Sequence, residues 1–169
     1  MLVKIPGPLT VATLRFSTTP KDPPTSLPVV SRTIDALSAP ASAQKRVVMD
    51  EKVLRGGKVG FSLNDELFPD VTPLSAPGSA TETWDIVNET HMDHPFHLHG
   101  APFQVVSTQT KGGDVVLEPF LSWKDVAIVP PQTTLRFVVH YENPGMWMFH
   151  CHILEHAERG MMGMVEVAP

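Results

Sequence analysis

The chain holds one cysteine, Cys151, in 169 residues, so an internal disulfide is excluded and cysteine usage says nothing about the redox compartment. No apolar run approaches the ~20 residues that a membrane helix needs, and no membrane partner is expected. Positive charge is also scarce: 13 Lys and Arg stand against 18 Asp and Glu, for a net charge of −5. With the two signs interspersed, no basic surface is available for nucleic acid. The opening residues, Met1 to Pro8, have neither a long apolar core nor a small-residue cleavage site, and so do not read as a signal peptide. Helical periodicity is nearly absent. The length suits one domain with a sizeable core.

Histidine, by contrast, is concentrated. Six of the eight histidines fall in two short runs, His94-Pro95-Phe96-His97-Leu98-His99-Gly100 and His150-Cys151-His152-Ile153-Leu154-Glu155-His156, and Met161 follows ten residues after Cys151. Thiolate and imidazole suit copper, and two histidines with one cysteine and a weak axial methionine make an electron-transfer copper site. Zinc accepts Cys and His too, but it needs four tetrahedral ligands and has no use for the methionine. A buried cysteine is ordinarily a small hydrophobe, a role at odds with its place between two histidines.

The parity of these residues sorts them. Successive side chains of a strand point to opposite faces. If 149–152 is extended, His150 and His152 share one face and Cys151 takes the other. His97 and His99 share a face; His94, an odd three residues earlier and followed by a proline that keeps the chain extended, takes the opposite one. The expected sets are Cys151, His94, His156 and Met161 on one side, and His97, His99, His150 and His152 on the other.

Both runs, HPFHLHG and HCHILEHAERGM, resemble the last-domain signatures of the multicopper oxidases (laccases, ascorbate oxidase, bilirubin oxidase, bacterial copper-efflux oxidases) position by position. The resemblance covers roughly residues 47–169 and implies a C-terminal cupredoxin domain. It implies His94, Cys151 and His156 as type 1 copper ligands with Met161 axial, His97 as a type 2 ligand, and His99, His150 and His152 as type 3 ligands. In the family an electron from a reducing substrate enters near the residue matched by His156. It passes through the residue matched by Cys151 to a trinuclear cluster that reduces dioxygen to water. That cluster takes eight histidines, four from another domain with two more His-X-His motifs. This chain has no further such motif, so it supplies the type 1 site and half of the cluster. The implied partner is a missing N-terminal cupredoxin domain or another subunit, and isolated the chain should not reduce oxygen. Several bacterial members carry a proton-delivering Glu where this chain has Ala157; Glu158 lies one residue late. Family members are mostly exported, which implies a periplasmic or secreted full-length protein and numbering that starts inside a longer precursor. A stand-alone cupredoxin electron carrier is the alternative, though it has no need of the four paired histidines. A copper nitrite reductase lacks the second histidine of the HCH triplet.

Short β-branched and aromatic runs separated by turn signals predict an all-β, Greek-key β-sandwich of the cupredoxin type. Expected strands are 46–49, 58–63, 81–88, 103–108, 115–117, 124–129, 133–141, 145–150 and 163–167, with a helical turn over 153–158. Residues 1–17 read as a strand remnant of a preceding domain (the strand itself at 8–17), 18–44 as a Pro/Ser-rich linker, and 45–169 as the C-terminal domain. Trp84 and Trp147 are expected in the core, along with Met146, Met148, Met162 and Met164. Gly100 is expected to allow a close approach to the metal-bearing strand. Asp93, Glu155 and Glu158 are candidate orienting partners for imidazoles or loop carboxylates. His91 and His140 are expected to be structural.

Overall fold

The computed structural model describes residues 33–42 and 44–169, with Thr13, Arg15 and Ser26 besides. The strand expected over 8–17, and most of the segment expected as a linker, lie outside the described residues. Residues Ile34–Pro169 form one compact unit. Within it Gln104 ties down the incoming chain, donating to the carbonyl of Asp35 at 2.8 Å and accepting from the Leu37 N–H at 2.8 Å.

The unit is a sandwich of two mixed sheets. One carries β1 (Gln44–Val53), β2 (Val59–Leu63), β4 (Thr81–Asn88), β6 (Phe103–Thr110), β7 (Val115–Leu117), β8 (Trp123–Lys124) and β10 (Thr133–His140), in the order β2-β1-β4-β10-β6-β7 with β8 also against β6. The other runs β3 (Leu74–Ala76), β12 (Met162–Val167), β11 (Gly145–Cys151), β5 (His94–Leu98) and β9 (Val126–Val129). The chain repeatedly crosses between the sheets, as the Greek-key expectation requires. The one helix among the described residues is α1 (Leu154–Glu158), in the loop between β11 and β12.

Alternation makes the sandwich. In β4 every second residue is buried, and in β10 Leu135, Phe137 and Val139 turn inward as the sequence predicts. Trp84 of β4 stacks on Phe137 at 5.8 Å and meets Phe149 of β11 edge-on at 5.3 Å, so one indole locks the two sheets together behind the histidine-bearing strands. Truncating such a residue typically costs about 3–5 kcal/mol.

Two differences from the expected strands have local causes. The run 124–129 is not one strand: it changes sheets at Asp125, with Trp123–Lys124 on β6 and Val126–Val129 on β5. The Asp125 carbonyl thus freed accepts from the Leu98 N–H at 3.1 Å and from His97 Nδ1 at 2.8 Å. Leu74–Ala76 adds a parallel edge to β12; three residues between Pro73 and Pro77 are too few to show a period.

Candidate metal centre

The strands β5 and β11 lie side by side, antiparallel, with Phe96 opposite Cys151 and His97 opposite His150. Their inner faces carry His94, Phe96 and Cys151, each fully buried, while His97, His99, His150 and His152 remain half-buried or exposed. The parity expected from the sequence is the parity observed.

On the inner side His94, Cys151 and His156 converge, with all ligating atoms within 4.8 Å of one another. Cys151 Sγ is 3.5 Å from His94 Nδ1 and 3.6 Å from His156 Nδ1, and the two Nδ1 atoms are 3.2 Å apart. The short helix α1 carries His156 back over the cysteine, and Phe61 stacks on its ring at 3.9 Å. Met161 is wholly buried. Its carbonyl accepts from the Cys151 N–H at 3.1 Å and its N–H donates to the His156 carbonyl at 3.0 Å, fixing its backbone to both residues. Gly160 makes that return possible: its φ is +111°, and a Cβ there would sit 2.7 Å from Leu67.

A network outside both histidine runs fixes the ring of His94. Thr90 Oγ1 lies 2.8 Å from His94 Nε2 and 2.8 Å from Asn88 Oδ1. The amide oxygen of Asn88 can only accept, so the hydroxyl donates to it and accepts the Nε2 proton of His94. Asn88 is itself anchored through its NH₂ to the carbonyls of Met92, Val129 and Pro130. His94 therefore presents an unprotonated Nδ1 to the cluster.

Burial, reinforced by His156, pulls the imidazole of His94 down to about 4. Burial also lowers His156 and raises the Cys151 thiol, the latter opposed by the Ile153 N–H. Two neutral nitrogens and a thiol thus face one another across little more than 3 Å. A soft cation fits this donor set: it replaces the thiol proton and accepts the converging lone pairs.

The outer cluster differs in exposure. His97, His99 and His150 bring ligating atoms within 4.8 Å, with His99 Nε2 3.1 Å from His150 Nε2. The His152 ring lies 5.6 Å from that of His97 and 5.7 Å from that of His150. Two Nδ1–H groups donate to carbonyls, His97 to Asp125 at 2.8 Å and His150 to Cys151 at 2.9 Å, leaving Nε2 of each unprotonated and able to ligate a metal. Burial and the neighbouring imidazoles lower His99 and His150.

Other expectations are redrawn. Met146, Met148, Met162 and Met164 do not line the core. They stand on the outer face of β11 and β12, Met148 opposite Met164 and Met162 opposite His150, because they share the parity of His150 rather than that of Cys151. Trp84 is buried as expected, and Trp147, half-buried, packs against the core. Gly100 (φ +80°) admits the Trp147 indole, which would lie 2.2 Å from an added Cβ. Among the described residues no carboxylate side chain bonds to these imidazoles; Glu155 acts on His156 through its charge alone. His140 bonds Thr81 at 2.9 Å and His91 is exposed. Thr90, Asn88 and the Asp125 carbonyl were missed by sequence reasoning. Only the proximity of Asn88 and Thr90 to His94 could have drawn notice.

The family profile described as multicopper oxidase matches residues 36–169. A multicopper oxidase of Staphylococcus aureus is 36% identical over 125 residues, covering 70% of this chain and 27% of that protein. Bilirubin oxidase of Albifimbria verrucaria is 32% identical over 116 residues, covering 64% and 20%. Among solved structures, a multicopper oxidase of Campylobacter jejuni described as a metallo-oxidase superposes with a TM-score of 0.71 at 31% identity, over 80% of this chain and 32% of that one. The chain thus spans about a fifth to a third of the length of these larger relatives.

Proposed function

The chain belongs to the multicopper oxidase family, and on that premise we propose that it is the copper-binding C-terminal domain of a laccase-like oxidase. His94, Cys151 and His156 hold type 1 copper with Met161 as the weak axial donor. His97 serves type 2 copper, and His99, His150 and His152 serve type 3 copper. Bound there, copper supplies one-electron redox chemistry and the reduction of dioxygen to water. The protein's part is to hold the donors, set their protonation and connect the two sets. With copper bound, the edge of His156 would be the entry path for an electron from a small reducing substrate, and Cys151 the link toward the outer set.

One observation carries this reading: a single tripeptide aims its thiol into the buried cluster and His150 into the exposed one, with the His152 ring beside it, 5.6 Å from that of His97. The backbone of Cys151 is the covalent bridge between them, reinforced by the bond from His150 to the Cys151 carbonyl. A stand-alone electron carrier would need only the buried cluster. The exposure of the outer histidines, and the greater length of the relatives, support a further cupredoxin domain or subunit that brings the remaining ligands. A periplasmic or secreted location for the whole protein accords with this reading.

Loading the protein with copper(II) tests it. The wild type should turn blue through thiolate-to-copper charge transfer, and Cys151→Ser should not. A colourless loaded wild type, or a blue serine variant, refutes the assignment.

A further inference from the structure

Phenols, aromatic amines, bilirubin and metal ions all fit such an oxidase, and a cleft joined to His156 through Phe61 and Arg159 discriminates among these. A cleft of about 560 Å³ lies between the β1–β2 hairpin and the end of α1, lined by Leu54, Lys58, Val59 and Arg159. Its volume suits a small organic molecule.

Its position follows from backbone contacts. Arg159 caps the C-terminus of α1, three residues after His156, and its carbonyl accepts from the Phe61 N–H at 3.1 Å. Phe61 is the residue stacked on the His156 ring. Gly160, directly after Arg159, brings the end of the helix against β2: a Cβ there would sit 3.2 Å from the Phe61 carbonyl. The cleft is therefore built on the same packing that holds His156. Leu54 and Val59 leave a third or more of their surface in water, and Val53 and Leu154 still more.

We propose that this cleft receives an anionic aromatic reductant, a carboxylate or sulfonate, whose charge is held by Lys58 and Arg159 while its ring lies on Leu54 and Val59. The inference rests on the assignment of His156 as the residue that takes up the electron. Both charged groups lining the cleft are cations; Glu51 and Glu155 act on His156 but do not line it. An anion gains from both charges at once, with the aliphatic wall strengthening the pairing by displacing water. A metal cation or a protonated arylamine meets repulsion at the same place.

The test has two arms. In the first, copper-free protein is titrated with 2-naphthalenesulfonate and, separately, with a naphthyl trimethylammonium, and NMR shifts are followed at Leu54, Val59 and Phe61. Saturable shifts with the sulfonate alone are expected, and they should vanish in Lys58→Glu/Arg159→Glu. Equal responses to the two probes, no saturable response, or persistence in the double variant overturns the proposal. In the second arm, copper-loaded protein is mixed with a sulfonated or a quaternary-ammonium ferrocene of matched potential. Each ferrocene gives up one electron, becoming ferrocenium, as the blue colour bleaches. The anionic probe should bleach the protein about tenfold faster at low salt, with the preference shrinking as salt is added and reversing in the double variant. Equal rates overturn the proposal. A protein that never turns blue overturns the copper assignment instead, and the first arm still decides the cleft.

Discussion

His150 Nδ1 lies 2.9 Å from the carbonyl oxygen of Cys151, the residue whose thiol serves the other cluster. A carbonyl can only accept, so the imidazole donates there and turns Nε2 toward His99. Adjacent residues, one per centre, are thus joined both by a peptide bond and by a hydrogen bond.

The ring of His94 depends on Thr90 in a comparable way. Thr90→Val keeps the shape of the side chain but leaves the Nε2–H buried and unpaired, which should cost about 1–3 kcal/mol in urea denaturation of the metal-free protein. With the orienting bond gone, copper affinity measured against a competing chelator should fall roughly 10–100-fold. Thr90→Ser should restore most of it. Wild-type affinity in the valine variant would show that the hydroxyl does not orient the ligand.

Met161→Leu should keep the blue colour but raise the reduction potential, because losing a thioether donor destabilises copper(II) more than copper(I). Stability should change by less than about 1.5 kcal/mol. Met162→Leu is the control, since Met162 lies on the outer face opposite His150. Equal shifts in both variants, or none in either, would reduce Met161 to core packing.

Oxygen consumption by the isolated copper-loaded chain with a phenolic reductant should stay at background, because on the proposed assignment His97, His99, His150 and His152 would be only half of the ligands of the cluster. Uptake proportional to the concentration of this chain would mean that four histidines suffice.

Gly100→Ala should destabilise the fold. The left-handed backbone alone costs an alanine about 1–2 kcal/mol, and the added methyl meets the Trp147 indole at 2.2 Å. Together these predict a loss of roughly 2–5 kcal/mol in urea melts, overpacking being worth about 1–3 of it. Combining it with Trp147→Leu should recover the steric part only. A neutral Gly100→Ala would mean that the indole moves aside freely.

Copper-free protein should lose stability as pH falls. His94 is held down to about 4 in the folded state against an ordinary 6.5, so between these values the unfolded chain binds more protons. The stabilisation is complete above about pH 6.5 and is lost progressively toward pH 4. His99, His150 and His156 are lowered too and act in the same direction. The urea midpoint should drop across this window, and His94→Gln should flatten the profile. A midpoint constant with pH would contradict a buried neutral imidazole.

The division of the ligands was legible in the sequence because alternation is a property of the covalent chain: once 149–152 is extended, Cys151 must face away from His150 and His152. The β-sandwich was legible for the same reason, in the alternating residues of Thr81–Asn88 and Thr133–His140. The same parity, rather than residue type, puts the four methionines Met146, Met148, Met162 and Met164 in the outer layer. What the chain alone did not disclose depends on distant segments meeting. Asn88 reaches Pro130 across 42 positions, and the Asp125 carbonyl reaches His97 across 28. Lys58 and Arg159 share a cleft although a hundred residues separate them. Such contacts leave no local period. They arise only when the two sheets pack and the loops find their places, so tertiary structure alone decided how each ligand is oriented and what stands beside it.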